Sequence, residues 1–256
     1  MKNKFKIKFL KSDRERFIAA DPFPSIVIDN LFDRSLMNEI YNLYPKKDDV
    51  SWWSYNNHFE RKLAFDRVQD LDACFQEYFN FVNSYSFVRK LEYITGIEGI
   101  ISDPSLRGGG LHMIESGGKL DVHADFNYHS VTGWKRQLNM ITFLNKDWRP
   151  EYNGHLELWN KEMTKCEKRV SPEFNRTVIF KTSDDTYHGH PDPLCCPPEI
   201  FRKSLAVYYY THHEDNLDNL EYRSTDYQKR PLDNNSEELE ALRLKRRKGR
   251  LKDSKT

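Results

Sequence analysis

The chain has 256 residues, 38% hydrophobic and 31% charged, with a formal net charge of +1, long enough to bury roughly 75% of the surface its unfolded form exposes. Its 16 Phe, 14 Tyr and 5 Trp supply large apolar area, so the modest hydrophobic fraction does not imply disorder, and no apolar run approaches the ~20 residues of a membrane span. The four cysteines, two of them adjacent (Cys195, Cys196), suggest no disulfide framework, and the Lys-alternating start lacks the apolar core of a secretory signal; together these predict a soluble protein of a reducing, cytoplasmic compartment.

In chain order, Ile26-Val27-Ile28 within residues 20–29 reads as a strand. Asp33 then caps a helix running to Tyr44, with Leu36, Ile40 and Leu43 at helical spacing and Pro45 as its stop. Residues 68–95 read as two helices joined near Asn83-Ser84 and ended by Gly96. From Gly108 the period changes to short strands separated by Gly, Pro, Asn and Asp turns: 110–114, 119–123, 137–144, 155–159, 168–170, 177–180 and 203–211. Helices followed by seven or more strands predict a mainly β fold, a barrel or jelly roll buttressed by N-terminal helices. Beyond Glu214 the apolar runs end, and the segment reads as a peripheral extension with one helix over 236–248. Residues 243–256 carry eight Lys/Arg against Asp253 alone, so the rest of the chain is net acidic. The run 245–250 has the composition of a nuclear address or nucleic-acid patch, but such charge blocks are usually solvated, and that is the reading preferred here.

The chemistry concentrates at His123-Ala124-Asp125. Residues two apart on an extended chain project to one face, so an imidazole and a carboxylate share a metal, and a second His completes a facial triad with positions left open on iron(II). His-x-Asp also occurs at His190/Asp192 and His213/Asp215. In a jelly roll the third ligand comes from a distant strand. About four predicted strands separate Asp125 from His188, whereas the later pairs have no comparably placed His downstream, so the first pair is favoured. His190 stays open beside His188 as a competing third ligand. Arg202-Lys203-Ser204 follows, and a guanidinium beside a hydroxyl on one strand face suits a carboxylate ligand.

These motifs, with residues 118–125, Arg136-Gln137-Leu138-Asn139, 143–148, 154–158, Asn175-Arg176, His188-Gly189-His190-Pro191 and Arg202-Lys203-Ser204, resemble the iron(II)/2-oxoglutarate-dependent dioxygenases, particularly their prolyl 4-hydroxylase-like branch. The resemblance runs from about Gly108 to Thr211. It implies a double-stranded β-helix (jelly-roll, cupin-like) core at 108–213, a supporting helical region at 1–107 in the same domain, and a polar extension at 214–256. It implies iron(II) held by His123, Asp125 and His188, the family's His-Gly-x-Pro order favouring His188 over His190. The distal carboxylate of 2-oxoglutarate would meet Arg202 and Ser204, with Asn139 a further candidate contact to the cosubstrate. O2 is the co-reactant and ascorbate a candidate reductant.

The implied reaction is hydroxylation of an unactivated C–H, with release of succinate and carbon dioxide, on a prolyl or other amino-acid side chain, peptidyl or free. The same chemistry on a small-molecule intermediate, including desaturation or ring closure, is the alternative. A non-catalytic jelly-roll binding module and a nucleic-acid-directed factor are the rivals from other classes. Asp125 disfavours halogenation, since related halogenases lose that carboxylate. Two departures from the family stand out: Phe143 replaces a Tyr whose phenol meets the cosubstrate carboxylate in many prolyl hydroxylases, and Gly154-His155 replaces a Gly-Gly pair. Oligomeric state is not legible.

Overall fold

In the N-terminal region, helix-forming stripes and sheet strands are intermixed. The computed structural model describes residue 7 and residues 9–212, 221–233, 237–241 and 244. Helices α1 (Lys11–Ile18), α2 (Arg34–Asn42), α3 (Ala73–Val82) and α4 (Tyr85–Thr95) are interspersed with strands β1 (Ser25–Asp29), β2 (Trp53–Asn56), β3 (Arg61–Phe65) and β4 (Ile100–Ser102). The expected cap at Asp33 is in place. Asp33 Oδ1 accepts from the Ser35 and Leu36 backbone N–H at 2.9 and 3.1 Å, and Ser84 Oγ accepts from that of Phe87, satisfying donors that a helix start leaves open. Gly96 closes α4 in the left-handed conformation, φ +71°.

The remaining strands are β5 (Gly110–Ile114), β6 (Leu120–Ala124), β7 (Lys135–Phe143), β8 (Leu156–Trp159), β9 (Cys166–Val170), β10 (Arg176–Lys181), β11 (Tyr187–His190), β12 (Arg202–Thr211) and β13 (Asp226–Tyr227). They form two antiparallel sheets, a mainly β jelly roll with N-terminal helices. The larger sheet runs β1-β10-β7-β12-β5-β3-β2, with β4 also on β12; the smaller runs β13-β6-β11-β8-β9. Thus β1, β3 and β4 join the same sheet as the core strands β10, β5 and β12.

Alternation on β12 and β7 shows how the layers divide. Leu205, Val207 and Tyr209, with Leu138 and Met140, face outward into one apolar cluster with Leu36, Phe75, Tyr78 and Leu91 of the helices. Tyr78 anchors α3 to this face through its hydroxyl, 2.9 Å from Thr142 Oγ1. On the opposite face Phe143, Val178 and Phe180 meet Leu156 and Leu158 between the sheets. Arg202, Ser204, Ala206 and Tyr208 also point inward, into a cavity rather than a packed core.

Several elements carry no clear sequence signal. The helix α1 buries only Phe17, β2 is exposed along its length, and β11 reads Tyr-His-Gly-His, with no apolar alternation. The segment beyond Glu214 is not simply peripheral. In its described part, β13 pairs with β6, Tyr227 is 1% exposed and stacks on Phe59 at 5.0 Å, and Leu239 joins the same small cluster. Residues 237–241 and 244 are helical, within the span expected for a helix, while the basic run 245–250 lies outside the described residues. Among the described residues no helix is long and apolar enough to cross a membrane, and the four cysteines are unpaired. Replacing Tyr227 by Ala removes an aromatic side chain from a buried stack, and urea unfolding should show a loss of about 3–5 kcal/mol; an unchanged midpoint would mean that this segment adds nothing to the folded body.

Candidate metal centre and cavity

Antiparallel pairing of β6 and β11 sets His188 directly opposite His123. Asp125 follows one residue after the end of β6. One ligand atom from each of these three buried residues lies within 4.8 Å of the others. The imidazole rings are 4.5 Å apart between centroids, and Asp125 lies 3.5 Å from His123 Nε2 and 3.4 Å from His188 Nε2. Each ring turns its other nitrogen to its own strand: His123 Nδ1 is 2.8 Å from the Asp121 carbonyl and His188 Nδ1 is 3.3 Å from that of Thr186. A neutral imidazole donating through Nδ1 carries its lone pair on Nε2. Burial first, against the pull of Asp125, brings His188 down to about 4, so it is neutral near pH 7. The His188 Nε2 lone pair therefore faces a carboxylate oxygen, an arrangement that repels unless a cation sits between them. The donor set, two imidazoles and one carboxylate on one side of the ion, fits iron(II).

Between His188 and His190 lies Gly189, where a Cβ would come within 2.8 Å of the Leu120 carbonyl and 2.9 Å of that of Asp121. Only a residue without a side chain lets β11 approach β6 this closely. The register slips between His188 and His190, and His190 is not part of the three-residue cluster. Asp192 of the second His-x-Asp pair is engaged elsewhere, with Arg169 and Arg230. His213 and Asp215 lie outside the described residues.

A second layer orients Asp125. Asn139 Nδ2 donates to Asp125 Oδ2 at 2.7 Å, and its own Oδ1 accepts from Arg136 Nε and Nη2 at 3.0 and 2.6 Å. Arg136 Nη2 also lies 3.3 Å from Asp125 Oδ2. The guanidinium packs over the rings of Tyr208 and Phe126, 3.5 and 4.3 Å from their centroids. Burial alone would raise the Asp125 carboxyl, but the Arg136 guanidinium beside it is the foremost opposing influence, and the carboxyl lies well below the usual carboxylate range. Asn139 thus contacts the acid while also lining the cavity. The part played by Arg136 was not legible: three residues from Asn139, it belongs on the opposite face of a regular strand. A bulge makes the difference. Tyr209 pairs with Leu138 but Tyr210 with Arg136, so Gln137 is the extra residue that turns Arg136 inward.

The far end of the cavity holds Arg202 at the start of β12. Its Nε donates to the Gly154 carbonyl at 2.8 Å and its guanidinium lies over Phe143 at 4.9 Å. Among the described residues no carboxylate pairs with it, it is only 4% exposed, and burial brings it down to about 9. Gly154, at φ +74°, leaves room for this side chain, since a Cβ there would meet Arg202 Cδ at 3.0 Å. Ser204 and His190 line the same cavity of about 190 Å3, which reaches from Arg202 to the His-Asp-His cluster.

A larger cleft of about 550 Å3 shares Tyr55, Gly108 and Phe126 with this cavity, and Trp53, Tyr128 and Tyr222 wall it. The segment after Asp125 forms part of this wall and is stapled down rather than loose: Asn127 exchanges backbone and side-chain hydrogen bonds with Arg223 and Glu221. His129 is buried with Nε2 3.5 Å from Asp103.

Because Arg136 neutralises a buried acid, Arg136→Met should destabilise the metal-free protein by about 3 kcal/mol. Adding a divalent cation should restore part of that loss in thermal unfolding. A variant as stable as the parent, or one indifferent to metal, would contradict this account of Asp125.

Residues 109–210 match the family model described as the 2OG-Fe(II) oxygenase superfamily. No curated protein sequence matches the chain. Similar solved structures include a Pseudomonas putida prolyl-4-hydroxylase, 13% identical, with a TM-score of 0.56 over 79% of this chain and 98% of that one. A prolyl hydroxylase from Trichoplax adhaerens, in complex with a hypoxia inducible factor oxygen degradation domain peptide fragment, is 16% identical, with a TM-score of 0.52 over 77% and 86%. HygX from Streptomyces hygroscopicus, with nickel, 2-oxoglutarate and hygromycin B bound, is 11% identical, with a TM-score of 0.53 over 79% and 88%. At these identities the structures speak for the shared fold. The matched segment spans the strands that carry both histidines and the arginine, with the acid directly after the first of them, so the similarity to the 2OG-Fe(II) oxygenase superfamily lies in the jelly-roll core that holds the site.

Proposed function

We propose that His123, Asp125 and His188 hold iron(II), that Arg202 and Ser204 bind the distal carboxylate of 2-oxoglutarate, and that the protein hydroxylates an unactivated C–H of an amino-acid side chain, prolyl or other, peptidyl or free. The observation that carries this reading is the buried Arg202 guanidinium, without an acid partner among the described residues, in the same cavity as the His-Asp-His cluster. An uncompensated buried charge costs several kcal/mol and is relieved by an anionic ligand. A dicarboxylate matches the cavity's two ends, one cationic and one suited to a metal.

Bound iron(II) supplies oxygen activation coupled to oxidative decarboxylation of 2-oxoglutarate to succinate and carbon dioxide. The chain's own residues do the rest. His123 and His188 present their Nε2 atoms to the site, while Asn139 and Arg136 hold the Asp125 carboxylate ionised and fixed in direction. Ile114, Ile141, Leu156 and Ala206 line the cavity with apolar surface that keeps water from the reacting centre. The cleft walled by Trp53, Tyr55, Phe126 and Tyr128 gives a substrate its approach, and those aromatic faces suit a compact side chain or ring held by packing.

With iron(II), O2 and 2-oxoglutarate, succinate release should be measurable and should vanish in His123→Ala. In Arg202→Ala the KM for 2-oxoglutarate should rise at least about 100-fold, the scale of a lost charge-assisted pair. Succinate formation persisting unchanged in both variants would remove the site assignment. Mass spectrometry of candidate peptides, free amino acids and a metabolite extract incubated with the enzyme should reveal a gain of one oxygen on an amino-acid side chain. A modified non-amino-acid metabolite alone would overturn the substrate class and leave the chemistry. Trp53→Ala should raise the KM for that substrate about tenfold while leaving the Kd for 2-oxoglutarate unchanged, as expected for loss of one packed ring.

A further inference from the structure

His190 is unusual among the cavity residues. It is 4% exposed, lines the same cavity as Arg202 and Ser204, and neither of its ring nitrogens has a hydrogen-bond partner among the described residues. His123, His188 and His112 each engage a backbone carbonyl through one ring nitrogen, as buried imidazoles ordinarily do. A structural His would be expected to do likewise, because an unsatisfied buried donor costs about 1–3 kcal/mol. His190 is also outside the His123–Asp125–His188 cluster, so its lone pair is not spent there.

Its neighbours indicate what it faces. Arg202 and Lys62 act on it electrostatically and line the same cavity. Lys62 is engaged with Glu60 at 3.5 Å, which leaves Arg202 as the cation without an acid. Arg202 spends Nε on the Gly154 carbonyl, so two terminal nitrogens remain for a ligand. A carboxylate presents two oxygens and about four acceptor positions. Phe143, which packs against the guanidinium, has no donor to add.

We infer that His190 donates an imidazole N–H to the distal carboxylate of 2-oxoglutarate and shares that carboxylate with Arg202. An imidazole retains at least one N–H in either protonation state, so the contact does not depend on titration. The inference rests on the proposed reading of the cavity as a 2-oxoglutarate site and adds a selectivity element to it: two groups, a guanidinium and an imidazole, recognise the end of the cosubstrate remote from the metal.

The test uses the full chain loaded with Mn(II) without turnover, and titrates 2-oxoglutarate and 2-oxobutyrate, which lacks the distal carboxylate, by calorimetry. His190→Val and His190→Met should each weaken 2-oxoglutarate binding about tenfold or more, as expected for a lost hydrogen bond to a charged group. His190→Gln, which restores an N–H donor, should recover most of that loss. Binding of 2-oxobutyrate and of Mn(II) should be unchanged in all three, and thermal melting identifies any variant that does not fold. Unaltered 2-oxoglutarate affinity in the apolar variants overturns the inference, as does an equal loss for both oxoacids. Loss of Mn(II) binding would make His190 part of the metal site instead. A parent protein that binds Mn(II) but not 2-oxoglutarate would overturn the proposed function itself, a result distinct from failure at His190.

Discussion

Pairing of β11 against β6 is the contact on which the rest depends. It brings two histidines far apart in sequence into direct register and leaves their Nε2 atoms converging on Asp125. The close approach requires Gly189, and β13 supports β6 from its other edge, with Tyr227 opposite His123 and its ring 5.7 Å from the imidazole. Neither strand is stable alone. β8 pairs with β11, and the small sheet as a whole faces the larger sheet across the apolar layer around Phe143, Leu156 and Phe180.

Charge is distributed unequally along the cavity this creates. At one end the acid is over-supplied with partners: two imidazoles, an amide and a guanidinium surround Asp125. At the other end Arg202 has a single backbone carbonyl as hydrogen-bond partner among the described residues. The near-neutral total charge of the chain conceals this asymmetry, because solvated surface charges contribute most of the total and little of the field inside. Holding a guanidinium in that state costs folding free energy, and the cost has a physical justification when an anion completes the site.

The cleft beside the cavity is lined largely from outside the matched core. Trp53 and Tyr55 come from the β2 strand, and Tyr222 and Arg223 from the segment before β13, yet all four line the cleft that meets the cavity at Tyr55 and Phe126. The cleft thus joins Phe126 and Tyr128, directly after Asp125, to residues from two stretches of chain outside the matched segment. Family resemblance over 109–210 consequently speaks to chemistry more strongly than to substrate.

Periodicity made α2, α3, α4 and most of the core strands legible, because each presents a clear apolar face. β2 and β11 were not legible: an exposed edge and a ligand-bearing strand lack the alternation that burial imposes on ordinary strands. The order His123-x-Asp125, His188, Arg202 made the candidate chemistry legible in the sequence, since two imidazoles and a carboxylate suit a metal and a guanidinium suits a carboxylate. Composition alone misjudged the segment after Glu214, because a polar stretch can still contribute one buried aromatic, here Tyr227. The sequence by itself thus determined which donor atoms are available and which elements could present them. Tertiary structure decided which of them meet: a one-residue bulge at Gln137 turned Arg136 toward Asp125, and the slipped register after His188 left His190 to the cavity, because side-chain direction on a strand depends on pairing that local sequence does not encode.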